Sequence, residues 1–160
     1  MEIYQQIVNL IQQSNKIVIT AHKSPDGDSI GSSLGLFRFI NKLNKNVTIC
    51  HPDKAPTFFN WLGDVQDIIV FEENETVVKD AIAAADLLIC LDYNDYSRVG
   101  KDMQVVLEQY TGKVIMIDHH LNPSPIADLL LSKTEVCSTA QLIYDVISQS
   151  DKKSLLDTHI

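Results

Sequence analysis

The chain is expected to fold as an α/β domain, a mostly parallel β-sheet with helices on both faces. Helical and strand periods alternate along its 160 residues with almost no low-complexity linker. Several strand-like runs are apolar almost throughout, as strands buried on both faces must be. Three Asp/His clusters, His22-x-x-x-Asp26-x-Asp28, Asp92 and Asp118-His119-His120, each directly follow such a run. Open α/β sheets bind ligands at the carboxyl ends of their strands, so the clusters are expected to meet at one edge.

The first segment, Met1–Gln13, spaces Ile3, Ile7, Leu10 and Ile11 as one helical face. Lys16–Ala21 (KIVITA) is the first strand, and Asp28–Leu43 follows as a helix with Ile30, Leu34, Phe37 and Ile40 at three- and four-residue steps. Asn46–Cys50 is the next strand, and His51–Pro56, with two prolines, is a loop. A short segment at Phe58–Leu62 leads to the β-branched run Asp67–Phe71, then to a weak helix from Glu75 to Ala84. Strand Asp86–Leu91, a helix at Met103–Tyr110 and strand Lys113–Ile117 come next, with a further strand at Ala127–Leu131. Ser138–Ser150 reads as a helix capped by the Ser138 hydroxyl, and Asp151–Ile160 as the start of another.

The length suits one domain with a real core. A formal charge of −8 argues against a broad basic nucleic-acid face, though cations bound among the acidic residues would still draw a phosphate. The first segment lacks the basic-then-apolar order of a signal peptide, and no run reaches the about 18–20 apolar residues of a membrane span. Cys50, Cys90 and Cys137 have no CxxC spacing, and two of them lie inside strands, which suits a reducing cytoplasm.

Carboxylates and imidazoles without thiolate point to Mn²⁺, with Mg²⁺ as an alternative, in place of a structural zinc site. Pro25 and Gly27 punctuate a tight loop that lets Asp26 and Asp28 point the same way. Asp92, alone at its strand end, suits the carboxylate that a two-metal centre needs between its ions. Taken singly, Asp28 or Asp92 would more often be a turn or cap residue, and His22 a satisfied surface or core group.

His22-Lys23-Ser24-Pro25-Asp26-Gly27-Asp28-Ser29-Ile30-Gly31-Ser32, Leu91-Asp92 and Ile117-Asp118-His119-His120 resemble, in order and spacing, the first three motifs of the DHH phosphoesterase superfamily. The bacterial branch that degrades very short RNA and dephosphorylates 3′-phosphoadenosine 5′-phosphate is the most similar. The resemblance implies a Rossmann-like domain in which His22 and Asp26 ligate one Mn²⁺, Asp28 and His119 another, and Asp92 both. It further implies that His120 faces the scissile phosphate, that Asp118 fixes a histidine orientation, and that the reaction is in-line hydrolysis of a phosphoester. Short RNA or a phosphonucleotide would be the substrate, and a homodimer is one possible assembly.

The family also has a fourth aspartate on a later strand and a C-terminal substrate-binding domain with a glycine-rich motif. Residues 1–160 are therefore expected to be the catalytic half, shortened before both. Asp157-Thr158 has no preceding strand or following glycine and reads as a surface position. The isolated chain is expected to hold one Mn²⁺ or none firmly and to turn over little.

Arg98 can hold a substrate phosphate or a carboxylate near the metals, with a solvated surface arginine as the plainer reading. Lys23 reads as a loop lysine, and His51 and His159 as non-ligands. Trp61, Phe58 and Phe59 could stack a base, but core packing is the favoured reading. Against the nucleotide phosphoesterase stand an inorganic pyrophosphatase or exopolyphosphatase, a single-strand exonuclease, a cyclic-dinucleotide hydrolase and a non-catalytic metal- or nucleotide-binding module. The absence of G-x-G-x-x-G after the first strand disfavours a dinucleotide-cofactor binder.

Overall fold

Six strands pair in the order β3-β2-β1-β4-β5-β6, every pair parallel, in a computed structural model that describes residues 2–158 and 160. In chain order the elements are α1 (Ile3–Gln13), β1 (Lys16–Ala21), α2 (Gly27–Lys42), β2 (Asn46–His51), β3 (Ile69–Val70), α3 (Glu75–Ala84), β4 (Leu87–Leu91), α4 (Lys101–Glu108), β5 (Lys113–Asp118), β6 (Leu129–Ser132) and α5 (Thr139–Ser148). Parallel neighbours need crossovers: α2 joins β1 to β2, α3 joins β3 to β4 and α4 joins β4 to β5, whereas β2 reaches β3 through 3-10 turns and β5 reaches β6 through a loop.

The strands bury both faces, and side-chain alternation sorts them into two cores. Ile17 and Ile19 of β1, Leu87, Ile89 and Leu91 of β4, and Ile115 and Ile117 of β5 pack with Ile7, Phe39 and Leu142 under α1, α2 and α5. Val18, Leu88, Cys90, Val114 and Met116 face the other way, onto Val78 and Ile82 of α3 and Met103 and Leu107 of α4. Cys50 and Cys90 are buried and Cys137 is exposed. Burial pushes the Cys50 and Cys90 thiols up to about 12, so they are inert apolar fillers at neutral pH.

Two expected elements change. The run Asp67–Phe71 contributes only Ile69–Val70 to the sheet, because it lies on the edge with β2 as its one partner and Val65–Asp67 winds into a 3-10 turn. The tail forms a single 3-10 turn, Lys153–Leu155, in place of a helix start. Asp157 lies there with its carboxylate on Lys42 Nζ, away from the strand ends, as a surface position. His159 lies outside the described residues. Among the described residues no helix is long and apolar enough to cross a membrane.

Ile89 is fully buried in the central strand. Ile89→Ala is expected to destabilise the domain by about 2–5 kcal/mol in urea unfolding, whereas Val105→Ala on the exposed side of α4 should stay within about 0.5 kcal/mol. Equal costs at the two positions would contradict this assignment of the core.

Candidate metal centre

Strand register lays the three clusters in one row. Ala21 pairs with Leu91 and Leu91 with Ile117, so His22, Asp92 and Asp118 stand at the same level on β1, β4 and β5. Strand order reverses between β1 and β4, which is where such sheets open a crevice.

Backbone hydrogen bonds hold the loop after β1. Ser24 adopts φ 59°, and its N–H donates to both carboxylate oxygens of Asp53 at 2.9 and 3.0 Å. Lys23 N–H donates to the Arg98 carbonyl at 2.8 Å. Asp26 caps α2: its Oδ1 accepts N–H bonds from Asp28 and Ser29, both at 3.0 Å, and Ser29 Oγ accepts the Asp26 N–H in return. The capping role considered for Asp28 or Asp92 thus belongs to Asp26. Its other oxygen, Oδ2, lies 3.7 Å from His22 Nε2.

Asp92 is the meeting point. It is 1% exposed and takes a left-handed backbone, φ 62°, a conformation that aspartate tolerates better than most residues. Its Oδ2 lies 3.4 Å from His22 Nε2, and its Oδ1 lies 3.5 Å from His119 Nε2 and 3.9 Å from His120 Nδ1. Thr139 Oγ1 donates to Oδ1 at 2.9 Å. The first two N–H groups of α5, from Thr139 and Ala140, donate to the two oxygens of Asp28 at 2.7 and 2.8 Å, and Asp28 Oδ2 lies 3.5 Å from His119 Nε2.

Each histidine has its tautomer set by a neighbour. His22 Nδ1 lies 2.7 Å from the Lys23 carbonyl, which can only accept, so in the neutral ring the proton sits on Nδ1, and Nε2, facing Asp26 and Asp92, is left to take up a proton or a cation. His119 is arranged the same way with Nδ1 3.5 Å from Val136 O. His120 differs: its Nδ1 donates to Asp118 Oδ1 at 2.7 Å and its backbone N–H to Oδ2 at 3.0 Å, which leaves Nε2 outside that pair.

The electrostatics favour a bound cation. Among the described residues, Asp26, Asp28, Asp92 and Asp118 form ion pairs only with histidines, never with lysine or arginine. His22 is raised above the ordinary histidine value chiefly by its bond to Asp92, with burial opposing. Burial also raises Asp28, helped by the Asp92 charge and resisted by the α5 N–H groups. Burial pushes Asp26 up as well, but the Ser29 N–H and His22 outweigh it and the net shift is downward. Two groups of potential ligands, His22–Asp26–Asp92 and Asp92–His119–His120, each have their donor atoms within 4.8 Å of one another and share Asp92. Hard oxygen and imidazole donors without sulfur fit Mn²⁺ or Mg²⁺.

The structure therefore gathers every residue of the predicted constellation. Arg98 is exposed and joins the site only through its carbonyl, and Lys23 is paired with Glu72 at 2.7 Å, as a loop lysine would be. One residue of the centre, Thr139, is not singled out by the sequence, and one non-ligand, His51, changes place. Thr139 was hidden behind its capping neighbour Ser138; the signal was a helix start on the edge where the acidic clusters converge, since helix N-termini bind anions. His51 is the last residue of β2 and not part of a loop, and it is fully buried with Nε2 3.0 Å from Ser33 Oγ and no partner on Nδ1. Core packing of the aromatic segment is corrected too: Phe59 turns inward, but Phe58 and Trp61 are 69% and 78% exposed.

The model of the DHH family, N-terminal domain, matches residues 16–160. The chain is 32% identical over 134 residues to the bifunctional oligoribonuclease and PAP phosphatase NrnA of Thermus thermophilus, covering 82% of this chain and 36% of that protein. It is 28% identical over 155 residues to the cyclic-di-AMP phosphodiesterase PdeA of Listeria monocytogenes, covering 90% and 23%. The crystal structure of an exopolyphosphatase-related protein from Bacteroides fragilis superposes with a TM-score of 0.94 at 32% identity, covering 98% of this chain and 46% of that one. The chain thus spans less than half the length of these relatives.

Burial, with the neighbouring His22 adding to it, depresses His51 to about 3. An unfolded histidine titrates near 6.5, so below that pH the unfolded chain takes a proton that the folded one refuses. The His51 contribution is therefore intact above about pH 6.5 and falls by about 1.4 kcal/mol per unit below it. His51→Gln is expected to be about 2 kcal/mol less acid-sensitive than the parent between pH 7 and 5, measured by urea unfolding. Parallel stability profiles would refute this.

Proposed function

The chain belongs to the DHH family, and on that premise we propose that it is a Mn²⁺-dependent phosphoesterase domain acting on short oligoribonucleotides or 3′-phosphoadenosine 5′-phosphate. The observation that carries this reading is Asp92, a buried carboxylate shared by two histidine-containing groups and partnered by no lysine or arginine among the described residues. The Thermus relative is named for that pair of activities and its similarity spans 82% of this chain, which supports the substrate class.

In this reading His22, Asp26 and Asp92 hold one Mn²⁺, and Asp28, His119 and Asp92 a second, with Mg²⁺ as the alternative ion. Such ions supply Lewis acidity for the phosphoryl oxygens and make water a better nucleophile. Asp92 would serve both sites, since its Oδ2 faces His22 and its Oδ1 faces His119. Asp118 holds the His120 ring through Nδ1, so that Nε2 is presented to the phosphoryl group and stabilises the charge that develops there. Arg98, exposed on the segment whose carbonyl accepts the Lys23 N–H, would hold a substrate phosphate. Thr139 positions two ligands at once, by its hydroxyl and its N–H.

The two sites differ in strength. Both Asp28 oxygens already accept a backbone N–H, which draws charge from them, whereas in the other group only Oδ1 of Asp26 is engaged in this way. Mn²⁺ titration of the chain by calorimetry is expected to show one tight and one weaker site, both lost in Asp92→Asn. Saturable binding unchanged in Asp92→Asn would overturn the shared-ligand role.

Turnover by these residues alone is expected to be slow, and what product the Mn²⁺-loaded chain releases should come from short RNA or 3′-phosphoadenosine 5′-phosphate in preference to pyrophosphate and cyclic di-AMP. Asp92→Ala should lower that rate at least about 100-fold, the scale on which two-metal assistance is lost. A rate within a few-fold of the parent, or hydrolysis of pyrophosphate alone, would refute the proposal.

A further inference from the structure

The segment after β2 carries an aromatic pair that the metal centre does not use. Phe59 N–H donates to Pro56 O, Asn60 to Thr57 and Leu62 to Phe59, so the chain winds in 3-10 steps from Pro56 to Leu62. Residues three apart then share a side. Phe59 and Leu62 pack on the core, and Phe58 and Trp61 face solvent at 69% and 78% exposure.

This turn is anchored to the same helix that begins at the metal loop. The Phe59 ring lies 3.7 Å from where a side chain on Gly27 would begin, and Gly27 stands between Asp26 and Asp28. The Phe58 ring centroid is 4.4 Å from that of Phe59. At the far end Arg38 of α2 fixes the turn, its Nε donating to Asp64 Oδ2 and its Nη2 to the Gly63 carbonyl, each at 2.7 Å. Phe58, packed on Phe59, thus stands one ring beyond the residue that touches the Asp26–Asp28 loop, and Trp61 follows one 3-10 turn further along, towards Arg38.

We propose that Phe58 and Trp61 form a shelf that stacks the nucleobase of the nucleotide whose phosphate is bound at the Asp92 cluster. The inference rests on the nucleotide phosphoesterase reading of that cluster. A net charge of −8 gives the chain no overall attraction for a sugar–phosphate backbone. Stacking supplies affinity without charge and tolerates any base, because every base offers a π face. The shelf therefore favours nucleotides over bare phosphate esters and discriminates little among bases.

Trp61 is the single tryptophan of the chain, so its emission reports on the shelf directly. The Mn²⁺-loaded chain is titrated with adenosine 5′-monophosphate and with ribose 5-phosphate, following both heat and Trp61 fluorescence. Adenosine 5′-monophosphate is expected to quench Trp61 and to bind about 10-fold or more tightly than the sugar phosphate. Phe58→Ala and Trp61→Ala should remove that preference while leaving ribose 5-phosphate binding and Mn²⁺ affinity unchanged, and Trp61→Phe should keep it. Unchanged nucleotide preference in both alanine variants overturns the shelf, as does a dimer that dissociates in those variants while the preference stays intact. Binding of pyrophosphate but of neither sugar phosphate would instead overturn the nucleotide reading of the cluster, and the shelf with it.

Discussion

A buried carboxylate with no lysine or arginine paired to it among the described residues sets the terms for the rest of this molecule. Asp92 sits at the end of the central strand β4, in a left-handed backbone, with histidines on two sides and a threonine hydroxyl on its Oδ1. Burying a charge is costly unless it is paired or coordinates a metal. The structure meets that cost by convergence. The flush register of β1, β4 and β5 brings imidazoles to both oxygens, and the N-terminus of α5 holds the neighbouring Asp28.

Helix ends are used twice here. At α2 a carboxylate of the cluster caps the helix, since Asp26 accepts two N–H groups of the first turn and keeps one oxygen for His22. At α5 the helix instead holds a carboxylate from outside, and its first residue also bonds Asp92. Both arrangements pre-orient the acidic groups before any cation arrives, which spares the site much reorganisation on binding. The histidines are pre-oriented in the same sense: Lys23 O and Val136 O take the Nδ1 protons of His22 and His119, and Asp118 takes that of His120.

Much of this was legible in the residues themselves. Runs such as KIVITA and DLLICL are apolar almost throughout, so a buried parallel sheet and its carboxyl edge followed directly, and with them the meeting of the three clusters. What stayed hidden depended on contacts between distant segments. Nothing local separates Phe59, which packs inward, from Phe58, which does not; a 3-10 wind decides it, and periodicity calibrated on α-helix and strand does not register that wind. His51 looked like a loop residue because prolines follow at once, yet one more residue of pairing carries it into the core beside Ser33. The run Asp67–Phe71 has the composition of a strand but only one neighbour to pair with, and so it supplies two residues. Thr139 acts on residues 47 and 111 positions away in the chain, a link that no spacing rule reaches.

Whether Asp92 is shared between two cations decides how this centre works. Anomalous diffraction from a crystal of the chain grown with Mn²⁺ addresses this most directly. Two peaks about 3.5–4 Å apart are predicted, one beside His22 and Asp26 and the other beside His119 and Asp28, with Asp92 between them. A single peak without Asp92 in its coordination shell, or Mn²⁺ bound elsewhere while the strand-end cluster holds none, would contradict it.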